Sequence, residues 1–191
     1  MIEYISNKLV LWLLSTNVIN ESEKEIYQFG IFQLVTNFIN FILMILIGFL
    51  VNELLAILSY MISFLNLRKY AGGYHADTIG KCFLTSMIIT LIFLFILKLG
   101  YLHVNIKIFS WIISNIMIIL LAPIQNKNKQ FEDSEKIIYR KKTLQICFVE
   151  DISILLCITF NFQNILNGLI FGQIVIATSL YVGKINLIRH N

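Results

Sequence analysis

A single proline, Pro123, occurs in 191 residues, and only nine residues are glycine. Charge is scarce too: Asp, Glu, Lys and Arg make up 14% of the chain, against about 25% in a soluble domain. With so few breakers and charges, the apolar stretches run long. Those runs are continuous and do not alternate with period two, which excludes a β-barrel. No Gly/Ser/Pro-rich linker, internal repeat or low-complexity tract divides residues 1–191, so one membrane-embedded domain is expected. No signal peptide is expected either, because the opening residues carry Glu3 and no small-residue cleavage site follows. Neither a phosphate-binding loop nor an H-E-x-x-H pattern is present, and the three histidines are scattered. No ATP, metal or other cofactor is expected. The odd count of three cysteines, two of them within one apolar segment, argues against a disulfide framework.

What is present is hydrophobic, 58% of the chain. Lipid offers the backbone no water to bond, so runs of this kind must close their own hydrogen bonds as helices. The fold class is all-α: a polytopic helical membrane protein of about six transmembrane helices plus an N-terminal interfacial helix. Residues 1–20 open with Ile2, Ile5, Leu9, Trp12 and Leu13 at helical spacing, the pattern of a helix lying in the membrane interface. Ser22 and Glu25 match a capping box that starts the next helix. Spans are expected at about 29–51, 54–67, 83–102, 106–122, 144–162 and 165–182. The second holds 14 residues, roughly 21 Å, too short for ~30 Å of hydrocarbon unless it continues into the polar segment after it or the bilayer thins. Residues 124–142 read as the one long hydrophilic loop, and 184–191 as a short tail.

The bases check this count. With the N-terminus inside, all of the fifteen except Lys98 and Lys107 fall on inner segments. Six spans with both termini cytoplasmic satisfy the positive-inside rule, and a five-span arrangement does so less well. The net charge of +4 thus speaks for topology and lipid headgroups, with nucleic acid excluded as a partner.

Chemistry concentrates in residues 68–82, at the inner mouth of two spans. A cysteine becomes a nucleophile beside a histidine or a helix N-terminus, and Cys82 opens the third span. His75 is the candidate general base. On one continuous helix the two would lie on the same face but roughly 10 Å apart, too far for a hydrogen bond of about 3 Å. The pair therefore needs a fold-back between them or a second subunit. Gly80 offers a break, and Gly72-Gly73 permits positive φ just before His75. Backbone N–H groups opening the span, with Ser86 one turn on, are candidate oxyanion donors; Ser86 equally fits a packing or back-bonding role.

Arg68-Lys-Tyr-Ala-Gly-Gly-Tyr-His75, then Cys82 and Ser86, together with Ala122-Pro123 ahead of a basic loop, resembles the AgrB family over essentially the whole chain. One departure is visible: the segment after Pro123 reads Ile-Gln-Asn-Lys-Asn-Lys-Gln, without a second proline. The resemblance implies a membrane cysteine endopeptidase of Gram-positive quorum sensing in the plasma membrane, its site on the cytoplasmic side. Such a protein cuts an AgrD-type propeptide, keeps the remainder as a thioester, and passes it to a side chain to close a thiolactone or lactone. It implies Cys82 as nucleophile, His75 as base, Arg68 and Gly73 as positions needed for activity, and a homodimer.

Two adjacent acids, Glu150 and Asp151, sit about two turns into the expected fifth span. A mid-membrane charge costs about 2.5–3.5 kcal/mol on insertion scales, so these call for partners or water. They orient His75, pair with Arg68 or line a peptide cavity; or the helix begins earlier and both meet the interface. A small transporter or permease using them is the alternative function. Trp12, Tyr70, Tyr101 and Trp111 read as interfacial anchors, and Cys147 and Cys157 as packing residues.

Overall fold

The computed structural model describes residues 2–74, 76, 78–100, 103–125 and 132–190. Among them the chain is all-α, with seven α-helices: α1 Ile2–Ser15, α2 Lys24–Leu50, α3 Leu54–Ala71, α4 Ile79–Leu99, α5 Val104–Leu121, α6 Asp133–Thr159 and α7 Gln163–His190. Four stretches are long and apolar enough to cross a membrane: Glu21–Leu50, Ile79–Leu99, Val104–Leu121 and Gln163–Arg189. These coincide with α2, α4, α5 and α7, so the protein is a multi-pass helical membrane protein. Helices α2 to α7 overlap the six expected segments, and four of them, α2, α4, α5 and α7, are long and apolar enough to cross a membrane.

Exposure is inverted relative to a soluble bundle. On α5, Ile106, Phe109, Ile116 and Leu120 are half or more exposed, while Ser114 is buried. On α4, Leu84, Leu91 and Phe95 are exposed and Thr90 is fully buried. Apolar outside and polar inside is the arrangement a hydrocarbon solvent selects.

Contacts divide the chain into two compact groupings. The first comprises Met1–Leu46 and Ala76–Ile89. Here α1 buries Ser6 and Val10 one turn apart. Its C-terminus closes through Asn17 in a left-handed conformation, with the Val18 amide donating to the Leu13 carbonyl at 3.1 Å. The expected Ser22/Glu25 capping box is displaced by two residues. A short 3-10 turn, Glu21–Glu23, precedes α2, and the Asn20 amide donates to Glu23 Oε2 at 3.0 Å. Asn20 has the side chain of a good cap and the same spacing to an acid, so it competes on equal terms with Ser22. Gln28 Nε2 donates to Asn7 Oδ1 at 2.7 Å and ties α2 to α1.

The second grouping comprises Ile47–His75 and Thr90–Asn191. Its centre is the close pairing of α3 with α7. A Cβ on Gly168 would fall on the Ala56 carbonyl oxygen and 2.8 Å from the Tyr60 nitrogen; one on Gly172 would fall on Ser63 Oγ. Small residues at these positions let the two backbones approach, the commonest way membrane helices gain contact without a hydrophobic driving force. Around that seam, Leu67, Ala71, Ile118, Cys147, Ile176 and Leu180 form one buried cluster. Phe93 stacks on Phe171 at 4.2 Å, with Tyr60 edge-on to Phe171.

Of the two expectations for the short second span, continuation into the polar segment is the one observed: helix α3 runs through Arg68 to Ala71, 18 residues, about 27 Å. Two other boundaries differ from expectation. The segment 124–142 is not one loop, because α6 is helical from Asp133. Its first three turns carry Glu135, Lys136, Arg140, Lys141 and Lys142, which are good helix formers. The tail from Lys184 continues α7 to His190.

Candidate functional site

The glycine turn is held by residues from two helices, α3 and α7. Arg68, in the last turn of α3, reaches forward over its own C-terminus. Its Nη1 donates to the Gly72 carbonyl at 2.7 Å and to Ser179 Oγ on α7 at 2.8 Å, and its Nη2 donates to the Tyr74 carbonyl. The Tyr74 amide in turn donates to the Ser179 carbonyl at 2.9 Å. Gly72 and Gly73 both take positive φ, +73° and +115°. A Cβ on Gly73 would meet Arg68 Nη1 at 2.5 Å and Ser179 Oγ at 2.7 Å, so only glycine satisfies both the dihedral and the space. Gly183 is packed against the same segment, 2.9 Å from a built Cβ to the Tyr74 nitrogen.

Ala122-Pro123, a cis peptide, leads into the other support. The Ile124 amide donates to the Ala71 carbonyl at 2.9 Å, and Gly72 pairs with Ile124 in a parallel bridge. Arg140 on α6 donates to the Ala122 carbonyl at 3.0 Å and the Ile119 carbonyl at 3.2 Å, satisfying acceptors that the end of α5 leaves open. The residue after Ala122-Pro123 is thus hydrogen-bonded to the residue before the paired glycines.

After Tyr74 come His75 and Asp77, which lie outside the described residues. Helix α4 opens at Ile79 behind Thr78, whose Oγ1 accepts from the Lys81 amide at 3.2 Å and whose carbonyl accepts from the Cys82 amide at 3.1 Å. With α3 ending at Ala71 and α4 starting at Ile79, no continuous helix joins Arg68 to Cys82. The interruption comes before Ile79, not at Gly80, which is helical with nothing within 4 Å of a built Cβ. Cys82 is a free, exposed thiol in the first turn of α4, whereas Cys147 and Cys157 are free and buried. Ser86 donates its hydroxyl to the Cys82 carbonyl at 3.0 Å, the back-bonding geometry of a helical serine.

Glu150 and Asp151 occupy the middle of α6, seventeen residues or more from its start at Asp133. Both are held inside the second grouping. Asp151 Oδ1 accepts from Trp111 Nε1 at 2.7 Å, Asn115 Nδ2 at 3.0 Å and Gln173 Nε2 at 3.3 Å. Glu150 Oε2 accepts from Ser63 Oγ at 2.9 Å and Gln173 Nε2 at 3.3 Å, and Cys147 Sγ donates to Asn115 Oδ1 at 3.2 Å. Four helices, α3, α5, α6 and α7, contribute to one polar network. Trp111 serves it as a donor, where an interfacial anchor was expected. The two acids stand out in the sequence, and the signal for their partners is that Ser63, Asn115 and Gln173 are polar residues inside apolar runs. Among the described residues no cluster of His, Cys, Asp and Glu is arranged to hold a metal.

The family described as Accessory gene regulator B matches residues 2–180. A protein of Clostridium perfringens strain 13, "Putative AgrB-like protein 2", is 30% identical over 204 residues, covering 98% of this chain and 95% of its own. A "Putative AgrB-like protein" of strain SM101 is 30% identical over 206 residues with the same coverage. No solved structure matches. Matched over nearly its whole length, the chain belongs to the AgrB family, the membrane proteins of the accessory gene regulator quorum-sensing system.

Proposed function

We propose that the protein is a membrane cysteine endopeptidase that cleaves the C-terminal part from an AgrD-type propeptide and cyclises the remainder. The observation that carries this reading is the contrast among the cysteines. One thiol, Cys82, is exposed in the first turn of a helix, and the other two are buried.

In this mechanism His75 takes the Cys82 proton and the sulfur adds to the scissile carbonyl. Collapse of the tetrahedral oxyanion breaks the C–N bond, and the proton passes from His75 to the departing amine. The acyl group remains as a thioester. The peptide's own thiol or hydroxyl then attacks it, which closes the ring and returns a proton to Cys82. Ring closure has to outrun hydrolysis, so a site at the membrane boundary, where water is scarce and the attacking group is tethered, favours it. Amides at the start of α4 are the proposed oxyanion donors. Charge placement supports a cytoplasmic side for this chemistry and for both termini. The family likeness supports a homodimer.

The competing reading, a transporter using Glu150 and Asp151, draws on two acids at mid-helix. Asp151 accepts three hydrogen bonds from fixed side chains, an arrangement suited to holding structure more than to passing an ion. Co-expression of a precursor with the wild type and with Cys82→Ser separates the two. Cleavage should be lost with Cys82→Ser while the protein stays membrane-inserted; unchanged processing eliminates the peptidase. His75→Ala should abolish thioester capture by the same precursor.

A further inference from the structure

Beside the polar network lies a groove of about 540 Å³ between α3 and α6, a size that ordinary ligand sites share. Its exposed surface is mainly apolar, with Ile62 from α3, Ile146 and Val149 from α6 and Leu169 of α7, and Asn66, Tyr70, Gln145 and Ser153 line it too. Two charged residues line it. Lys142 is exposed; Glu150 is only 7% exposed. They are eight residues apart on one helix, about 12 Å along its axis.

Glu150 is incompletely satisfied. Oε2 takes the hydrogen bonds from Ser63 and Gln173, while Oε1 is buried with no partner among the described residues. A buried carboxylate oxygen left without a donor is costly, and a native structure keeps one where something else supplies the donor. The terminal torsion of a glutamate is soft, so the carboxylate can turn toward a donor in the groove that Glu150 lines.

We propose that this groove binds a hydrophobic helical peptide segment that carries an ammonium side chain for Glu150 and, about two turns away, an acidic group for Lys142. A phospholipid fits worse: its phosphate would suit Lys142, but its acyl chain would leave the Glu150 oxygen unsatisfied in an apolar surround. A peptide supplies both charges at the required separation. The assignment rests on the reading above only in taking a peptide as the occupant, and the precursor is then the natural candidate.

The full-length protein in nanodiscs, with the photoreactive residue benzoylphenylalanine at Val149, tests it. The probe is a synthetic Leu/Ala helix bearing Glu and Lys eight residues apart, compared with the same peptide carrying norleucine for lysine. The lysine peptide should label about tenfold more strongly. Glu150→Gln, which keeps an oxygen for Ser63 and Gln173, should erase that preference. Ile62→Trp, on the exposed wall and outside the network, should block labelling by filling the groove. Equal labelling by the two peptides overturns the assignment, as does labelling of lipid acyl chains that neither peptide displaces. The two readings fail separately. If the precursor is still cleaved by Cys82→Ser, the peptidase falls and the groove stands. If a cleaving protein shows no lysine preference, only the groove falls.

Discussion

At the scale of single residues, the three cysteines make the simplest test. A maleimide should modify Cys82 in the folded protein and spare Cys147 and Cys157, whose thiols are buried. Labelling of all three at similar rates, read by mass spectrometry of the digested protein, would contradict the fold around them. Arg68 is a harder case, and its role was not legible in advance. The resemblance implies only that Arg68 is needed for activity; in the structure its guanidinium donates to Gly72, Tyr74 and Ser179. No pattern in a sequence announces a contact with a serine 111 positions away. Arg68→Lys replaces a planar fork by a point charge that cannot serve those three acceptors at once, so cleavage should fall by about tenfold or more. If the loss comes from the turn, removing the acids from the precursor's tail should lower cleavage independently, and the two effects should add. Strong non-additivity would place Arg68 on the tail. Gly73→Ala should also abolish cleavage, since strain of about 1–3 kcal/mol falls on the turn leading to His75, while maleimide labelling of Cys82 stays as in the wild type.

At the scale of elements, helices with long apolar runs were readable and their ends were not. The reason is visible in α6. Hydropathy divides residues 124–142 from the span after them, but the backbone follows helix propensity, and Asp133 to Lys142 has plenty of it. Arg140 adds a tertiary reason to be helical there by closing the end of α5. In α3 the same conflict arises: Arg68 and Lys69 look like an exit from the membrane, yet they are the last helical turn. The α3–α7 seam was likewise invisible, because a glycine in an apolar run reads as a weak point until its neighbour is known. Gly168→Val should destabilise the protein by about 1–3 kcal/mol or more through overpacking on the Ala56 carbonyl. Gly30→Ala and Gly80→Ala, each with nothing within 4 Å, should be neutral or stabilising by about 0.5–1 kcal/mol, since alanine is the better helix former. Thermal melts in one detergent would rank the three, and a Gly168→Val melting point at or above the wild type would remove the seam from the account.

For the whole molecule the open quantity is the number of crossings. Composition admits four helices without argument, and α3 and α6 are the two in question. Both are tied into the interior by polar contacts, Ser63 from α3 and the two acids from α6, which is how a polar residue is tolerated inside a bilayer. The connections are also short. Asn52 and Asn161 each take positive φ in turns of a few residues, between α2 and α3 and between α6 and α7. Turns that tight reverse a helix rather than carry it along the surface. On the proposed topology, which the distribution of lysine and arginine supports, α3 and α6 also cross, the total is even and both termini are cytoplasmic. Alkaline phosphatase fused after Asn52 or Asn161 should therefore be active. Fused after Arg189 it should be inactive, and a fluorescent protein at that position should glow. Active phosphatase at the C-terminus would mean an odd number of crossings, and α6 would then have to lie along the membrane with its carboxylates outside the bilayer core.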